Sequence, residues 1–167
     1  IRGQGNDPRR SRRGDIDDPA NWRRDLETFT ALVRRQHPRA KVVWCGESMG
    51  ALIAMSAWRH DVTRGGTPPC DALVLTSPVV AIRADFPRWK RTALDTAAAI
   101  LPKARISLKA LNDGKDVQMT HDSFHSEQAE TNSWNIDAHT LRLLAALGDM
   151  IEGMNPAATT VTVPVLV

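Results

Sequence analysis

No stretch of this 167-residue chain approaches 18 consecutive apolar residues, so the sequence predicts no transmembrane helix. Nor does it open like a secretory leader. Ile1 stands first, and Arg2, Arg9 and Arg10 follow with no apolar run behind them. Cysteine is scarce. Cys45 and Cys70 have no CxxC spacing, which excludes a disulfide framework and gives no sign of an oxidising compartment. Cys45 lies in an apolar run and is expected to be a small buried thiol. Internal repeats and low-complexity tracts are missing too. What remains is 42% apolar and 25% charged, a globular chain of about one domain. The net charge of +3 is local, with Arg9, Arg10, Arg12 and Arg13 clustered near the start. Asp7, Asp15, Asp17 and Asp18 flank that cluster, and no aromatic side chains interleave it. It therefore reads as a solvated loop, and no nucleic-acid partner is expected.

The pattern along the chain is strand–helix–strand. Residues 1–18 lack a period and form a loop. Asp18-Pro19 reads as a cap and first helical residue. Trp22, Leu26, Phe29, Leu32 and Val33 then recur at helical spacing, to about Gln36. Lys41–Cys45 and Ala72–Thr76 are short apolar runs, expected as strands buried on both faces. Between them Met49–Trp58 is apolar almost all round, a buried helix. This is the signature of a parallel α/β sheet. From Val79 the pattern changes. Residues 87–101 look helical, 103–135 are polar and irregular, and Asn135 or Asp137 can cap a helix reaching Met154. Val161 to Val167 reads as a further parallel strand beside Ala72–Thr76, and a chain stopping in it suggests a fragment cut at both ends. Residues 79–157 are thus expected to be a mostly helical insertion in a sheet formed by 1–78 and 158–167.

Between the first strand and the buried helix stands Gly46-Glu47-Ser48-Met49-Gly50, a G-x-S-x-G pattern. Strand, sharp turn and helix are the context in which such a serine becomes a nucleophile. Side chains at Gly46 and Gly50 are expected to collide with the neighbouring elements. The turn lifts the Ser48 hydroxyl above the sheet. The helix starting at Met49 brings its positive dipole end and backbone amides beside it, so the Met49 N–H is the expected oxyanion donor. The competing reading is a glycine-flanked turn in which Ser48 is only a helix cap.

Five stretches together resemble a known family. Arg2-Gly3-Gln4-Gly5 is similar to its R-G-x-G loop. Gly14–Asp18 with Trp22–Leu26 resembles its approach to the next helix. Cys45–Gly50, Leu73–Pro78 and Thr162–Val167 resemble its turn around the nucleophile, the following strand, and the strand leading to the catalytic acid. The family is the α/β-hydrolases of the monoacylglycerol lipase and lysophospholipase group, also described as serine-aminopeptidase-like S33 hydrolases; its members often carry His where this chain has Glu47. The resemblance implies an α/β-hydrolase fold with residues 79–157 as a helical lid. It places the triad acid and histidine beyond Val167, and a second oxyanion amide before Ile1. Residues 1–167 alone are accordingly expected to turn over esters near background.

The implied reaction is cleavage of a carboxylic ester, acylglycerol or lysophospholipid-like, through an acyl-enzyme on Ser48. An aminopeptidase or acyltransferase of the same fold, and a binding protein without a triad, stay open as alternatives. The insertion supplies Trp89, Ile100, Leu101, Met119, Phe124, Met150 and Met154. Of these, Trp89, Leu101, Phe124 and Met150 are the candidate contacts for an acyl chain, with packing of the lid's own core the equal alternative. His37 and His60 end helices, and His121, His125 and His139 lie in the insertion. His121 and His125 with Asp122 and Glu127 lack a third ligand at signature spacing, so no metal and no cofactor are expected. A small ester or lipid is the expected partner, with transient contact between lid and membrane surface, in a cytoplasmic or membrane-peripheral setting. Oligomeric state and head group are not readable.

Overall fold

The computed structural model describes residues 1–81, 87–111 and 132–167. In chain order its elements are a 3-10 turn (Arg10–Arg12), α1 (Ala20–Gln36), β1 (Val43–Glu47), α2 (Met49–Thr63), β2 (Ala72–Thr76), α3 (Arg88–Ile100), β3 (Arg105–Ser107), α4 (Leu108–Leu111), β4 (Ala138–Thr140), α5 (Leu141–Glu152), α6 (Met154–Ala158) and β5 (Val165–Leu166). No described helix is long and apolar enough to cross a membrane. They form two compact units. Residues 19–87 and 146–167 make a sheet unit, and residues 1–18 and 88–145 make a loop unit.

The sheet unit carries a three-stranded sheet in the order β1-β2-β5. Both pairings are parallel, with Trp44 opposite Leu73, Glu47 opposite Thr76, and Leu73 opposite Val165. Strands of period two put Trp44, Leu73 and Leu75 on one face, where they meet Leu52, Met55 and Trp58 of α2 and Met154 of α6. Burying each such side chain contributes about 2 kcal/mol. The opposite face is different. Val43 is 51% exposed and the Cys45 thiol is exposed as well. The strands are therefore half-buried, and the expected burial of Cys45 is corrected. It sits at odd register, pointing away from the one face that the core residues share. β1 also begins two residues later than expected and runs through Glu47. The expected strand over 161–167 narrows to two residues, with Val161 and Val163 packing against the core instead.

Helix α1 turns Trp22, Leu26, Thr30 and Val33 inward, at i, i+4 and i, i+3 spacing. Phe29 is 66% exposed, and Leu32 also faces solvent, contrary to the expected stripe. A polar residue takes the core face because the Trp44 indole N–H donates to the Thr30 hydroxyl at 2.9 Å. Pro19, not Asp18, stands at the cap position.

The loop unit is tied by polar contacts. Asp7 is buried, and its carboxylate accepts from the Gly3 and Arg9 amides, both at 2.8 Å. Asp15 accepts from Thr140 Oγ1 at 2.8 Å and from Arg142 through Nε at 2.7 Å and Nη2 at 2.5 Å. These bonds hold both carboxyls below the ordinary value of 3.8, against the burial that pushes them up; the Gly3 amide leads at Asp7 and Arg142 at Asp15. Gly3 and Gly14 have φ of +77° and +72°, and a Cβ on either would lie within 2.5 Å of a carbonyl oxygen, that of Asp15 or of Ala138. The segment expected to be solvated is thus partly interior. β3 and β4 pair antiparallel, Ile106 opposite His139; β3 lies in the stretch expected to be irregular and β4 where the expected helix was to begin. Thr140, rather than Asn135 or Asp137, leads into α5, its hydroxyl accepting from the Leu143 amide at 3.3 Å.

Candidate active site

β1 and α2 meet at a single residue, Ser48, with φ +49° and ψ −111°. A non-glycine residue with positive φ costs about 1–3 kcal/mol and persists only where its surroundings fix it. Here the Ser48 amide donates to the Thr76 carbonyl at 3.0 Å, tying the turn to the end of β2. Its carbonyl accepts from the Ala51 and Leu52 amides and opens the helix. The side chain makes no capping bond to that helix. The hydroxyl is therefore not spent on the structural role that would otherwise explain a serine at this position.

Gly46 is demanded by the packing. A Cβ there would lie 2.6 Å from the Gly50 carbonyl and 2.7 Å from the Ala51 nitrogen, inside the first turn of α2. Gly50 is not. Its Cβ position has no described atom within 4 Å, so the expected collision at the second glycine is corrected. Met49 is the first residue of α2, at the positive end of a fifteen-residue helix. Sequence reasoning missed Ser77, which follows β2 as Ser48 follows β1 and also has positive φ, +46°. No pattern flanks it; only the shared register of Glu47 and Thr76 brings it level with the turn.

The remaining candidates lie apart in the chain's organisation. Trp89 is 67% and Leu101 62% exposed, both in the loop unit. Met150 packs against the sheet unit's core, and Met154 is buried in it. Phe124 lies outside the described residues, as do Met119, His121, Asp122, His125 and Glu127. His37 closes α1. His139 is half-buried with its Nδ1 unpartnered among the described residues, and burial, with Arg105 nearby, pushes its pKa below 6.5. Glu27, His60 and Asp61 bring one donor atom each within 4.8 Å of one another. Arg23 lies 3.2 Å from Glu27, and Arg64 3.2 Å from His60 Nε2, so cationic groups already occupy that cluster.

A family model described as serine aminopeptidase, S33 matches residues 1–167. A comparison with curated protein sequences gives no match. Among solved structures the chain is similar to the monoacylglycerol lipase of Paleococcus ferrophilus, with a TM-score of 0.76 and 17% identity over 99% of this chain and 58% of that one. It is similar to a highly thermostable carboxyl esterase from Bacillus coagulans in complex with glycerol, with a TM-score of 0.70 and 17% identity, covering 98% and 57%. A soluble variant of monoglyceride lipase from Saccharomyces cerevisiae, in complex with a substrate analog, gives 0.68 at 14% identity, covering 93% and 50%. The chain thus spans little more than half the length of these structures, and the likeness is one of fold.

Proposed function

The chain belongs to the serine aminopeptidase, S33 family of α/β-hydrolases, and from that premise we propose that it is the nucleophile-bearing part of a serine hydrolase of carboxylic esters. The observation that carries the reading is Ser48: a serine at φ +49° between parallel strand and helix, with a hydroxyl that caps nothing. In the proposed reaction Ser48 Oγ attacks the ester carbonyl and loses its proton to a histidine. The tetrahedral oxyanion is held by the Met49 backbone amide and the positive end of α2. Collapse expels the alcohol, protonated by that histidine, and leaves an acyl-serine. Water then adds to the acyl carbon, and the carboxylic acid departs with Ser48 restored. The histidine and the acid that orients it are assigned to segments beyond Val167.

Residues 79–157 are proposed as the lid, with Trp89, Leu101, Phe124 and Met150 as contacts for the acyl chain. Exposed Trp89 and Leu101 favour that role, whereas the core packing of Met150 favours a structural one. An acylglycerol or lysophospholipid-like substrate is preferred over a peptide because the similar solved structures are lipases and an esterase. The family description keeps aminopeptidase activity as the second reading. In the intact protein, Ser48→Ala should lower monoacylglycerol hydrolysis by about 10⁴-fold or more with an unchanged melting temperature. Retention of most activity would remove Ser48 from the mechanism. Cleavage of aminoacyl amides in preference to monoacylglycerol would move the reading to the peptidase.

A further inference from the structure

Among the described residues, only Ser48 and Ser77 combine a side chain with positive φ, +49° and +46°. The two are neighbours. β1 and β2 run parallel with Glu47 opposite Thr76, so each serine is the first residue past the carboxyl end of its strand. The Ser48 amide donates to the Thr76 carbonyl at 3.0 Å, and that carbonyl belongs to the peptide group leading into Ser77. A single peptide group therefore joins the two strained turns. Adjacent strands lie about 4.8 Å apart, which sets Ser77 beside the Ser48 turn within the span of a small alcohol. Pro78 follows Ser77, and a residue before proline is ordinarily extended, with φ of about −120°. Ser77 is thus held against both its own Cβ and the next ring. Glycine would take this conformation without strain. Ser77 is exposed, and its hydroxyl has no partner among the described residues. The turn itself gives no use for that hydroxyl, and backbone strain of this kind gathers where a side chain meets a ligand.

We propose that Ser77 is a specificity residue of the Ser48 site, its hydroxyl binding a free hydroxyl on the alcohol half of the ester. The proposal rests on the reading of Ser48 as the nucleophile. The carbon that Ser48 Oγ attacks carries three limbs. Its oxygen is taken by the Met49 amide, and the acyl chain needs apolar contacts. Only the alcohol half can bring further polar groups to the end of β2. A serine hydroxyl both donates and accepts, as an alcohol hydroxyl does, so the two pair in either sense. The class favoured is the ester of a polyhydric alcohol, over the ester of a simple alkanol.

The test compares kcat/KM of the intact protein for a monoacylglycerol and for the methyl ester of the same fatty acid. Fluorophosphonate labelling of Ser48 and thermal melting run alongside. The intact protein should prefer the monoacylglycerol, and Ser77→Ala should lower that preference about tenfold while Ser48 still takes the label. Ser77→Gly, which has no Cβ to strain, should lose the preference equally and melt at or above the unaltered protein. The pair separates the hydroxyl from the backbone: a preference lost in Ser77→Ala but kept in Ser77→Gly overturns the proposal. A ratio unchanged in both variants, whether both esters slow alike or neither does, overturns it as well. So does a labelled protein that hydrolyses neither ester, or one that favours the methyl ester from the start. A protein unlabelled at Ser48 overturns the nucleophile itself and Ser77 with it, whereas label with an unchanged ratio removes Ser77 alone.

Discussion

In the sheet unit Trp44, Trp58, Leu73 and Leu75 bury an apolar face, and few polar groups are interior. In the loop unit Asp7 and Thr140 are buried alongside Ile16, Leu143 and Leu144, Asp15 and Arg142 are paired, and glycines let carbonyl oxygens approach the backbone. One region depends on apolar area removed from water and on close packing, where an added atom has no room. The other depends on individual hydrogen bonds, each costly to leave unmade. Substitutions should therefore act by different routes in the two regions.

The largest expected effect is Gly46→Ala. Its Cβ has only backbone to displace, at 2.6 Å, so the cost should be about 3 kcal/mol or more, read as a fall of roughly 6–12 °C in melting temperature. A melting temperature unchanged by this variant would mean that α2 does not rest on β1 as described. Next comes Arg142→Met, which leaves the largely buried Asp15 carboxylate without its main partner. With Arg142 about a quarter exposed, the loss should be about 2 kcal/mol. Hydrogen exchange should show it in residues 1–18 and 138–145, with the β1 and β2 amides unmoved. Loss of protection in both places at once would erase the contrast between the units.

The same contrast explains what could be read from the sequence. The β1–α2–β2 core was legible because apolar area leaves a periodic trace, and G-x-S-x-G marks the turn by residue type. The half-exposure of those strands was not, since period two tells which residues share a face but not whether both faces are covered. Residues 1–18 of the loop unit leave no period at all. Asp7 and Gly3 are four residues apart, but Asp15 finds Arg142 across more than a hundred, and no local rule pairs them. Strands of three residues, as in β3 and β4, are shorter than any pattern that could announce them. The Gly50 expectation failed for a related reason. Spacing shows that two glycines flank a turn, whereas the direction of each missing Cβ is a property of the fold.

Acid sharpens the comparison with a smaller effect. His139 has a folded pKa below 6.5, so the unfolded chain takes up its proton first as pH falls, and stability declines from about 6.5 down to the folded value. Asp7 and Asp15, also lowered, add a second loss once pH passes below about 3.8. Denaturant melts across pH should show both steps. His139→Gln should abolish the first and leave the second, and a first step that survives this variant would place its origin elsewhere. The smallest effect is Gly50→Ala. With open space around the Cβ position and a helical backbone, the change should leave stability level or raise it by up to about 1 kcal/mol. A loss comparable to that of Gly46→Ala would mean that the two glycines are crowded alike.

The central claim is that the strained turn presents Ser48 as a nucleophile, and its most direct measurement is covalent capture. Incubated with a fluorophosphonate, the intact protein should gain one phosphonyl adduct, and peptide mapping should place it on the segment containing Ser48. The label should disappear with Ser48→Ala. An unlabelled intact protein, or an adduct on any other residue, would contradict the account.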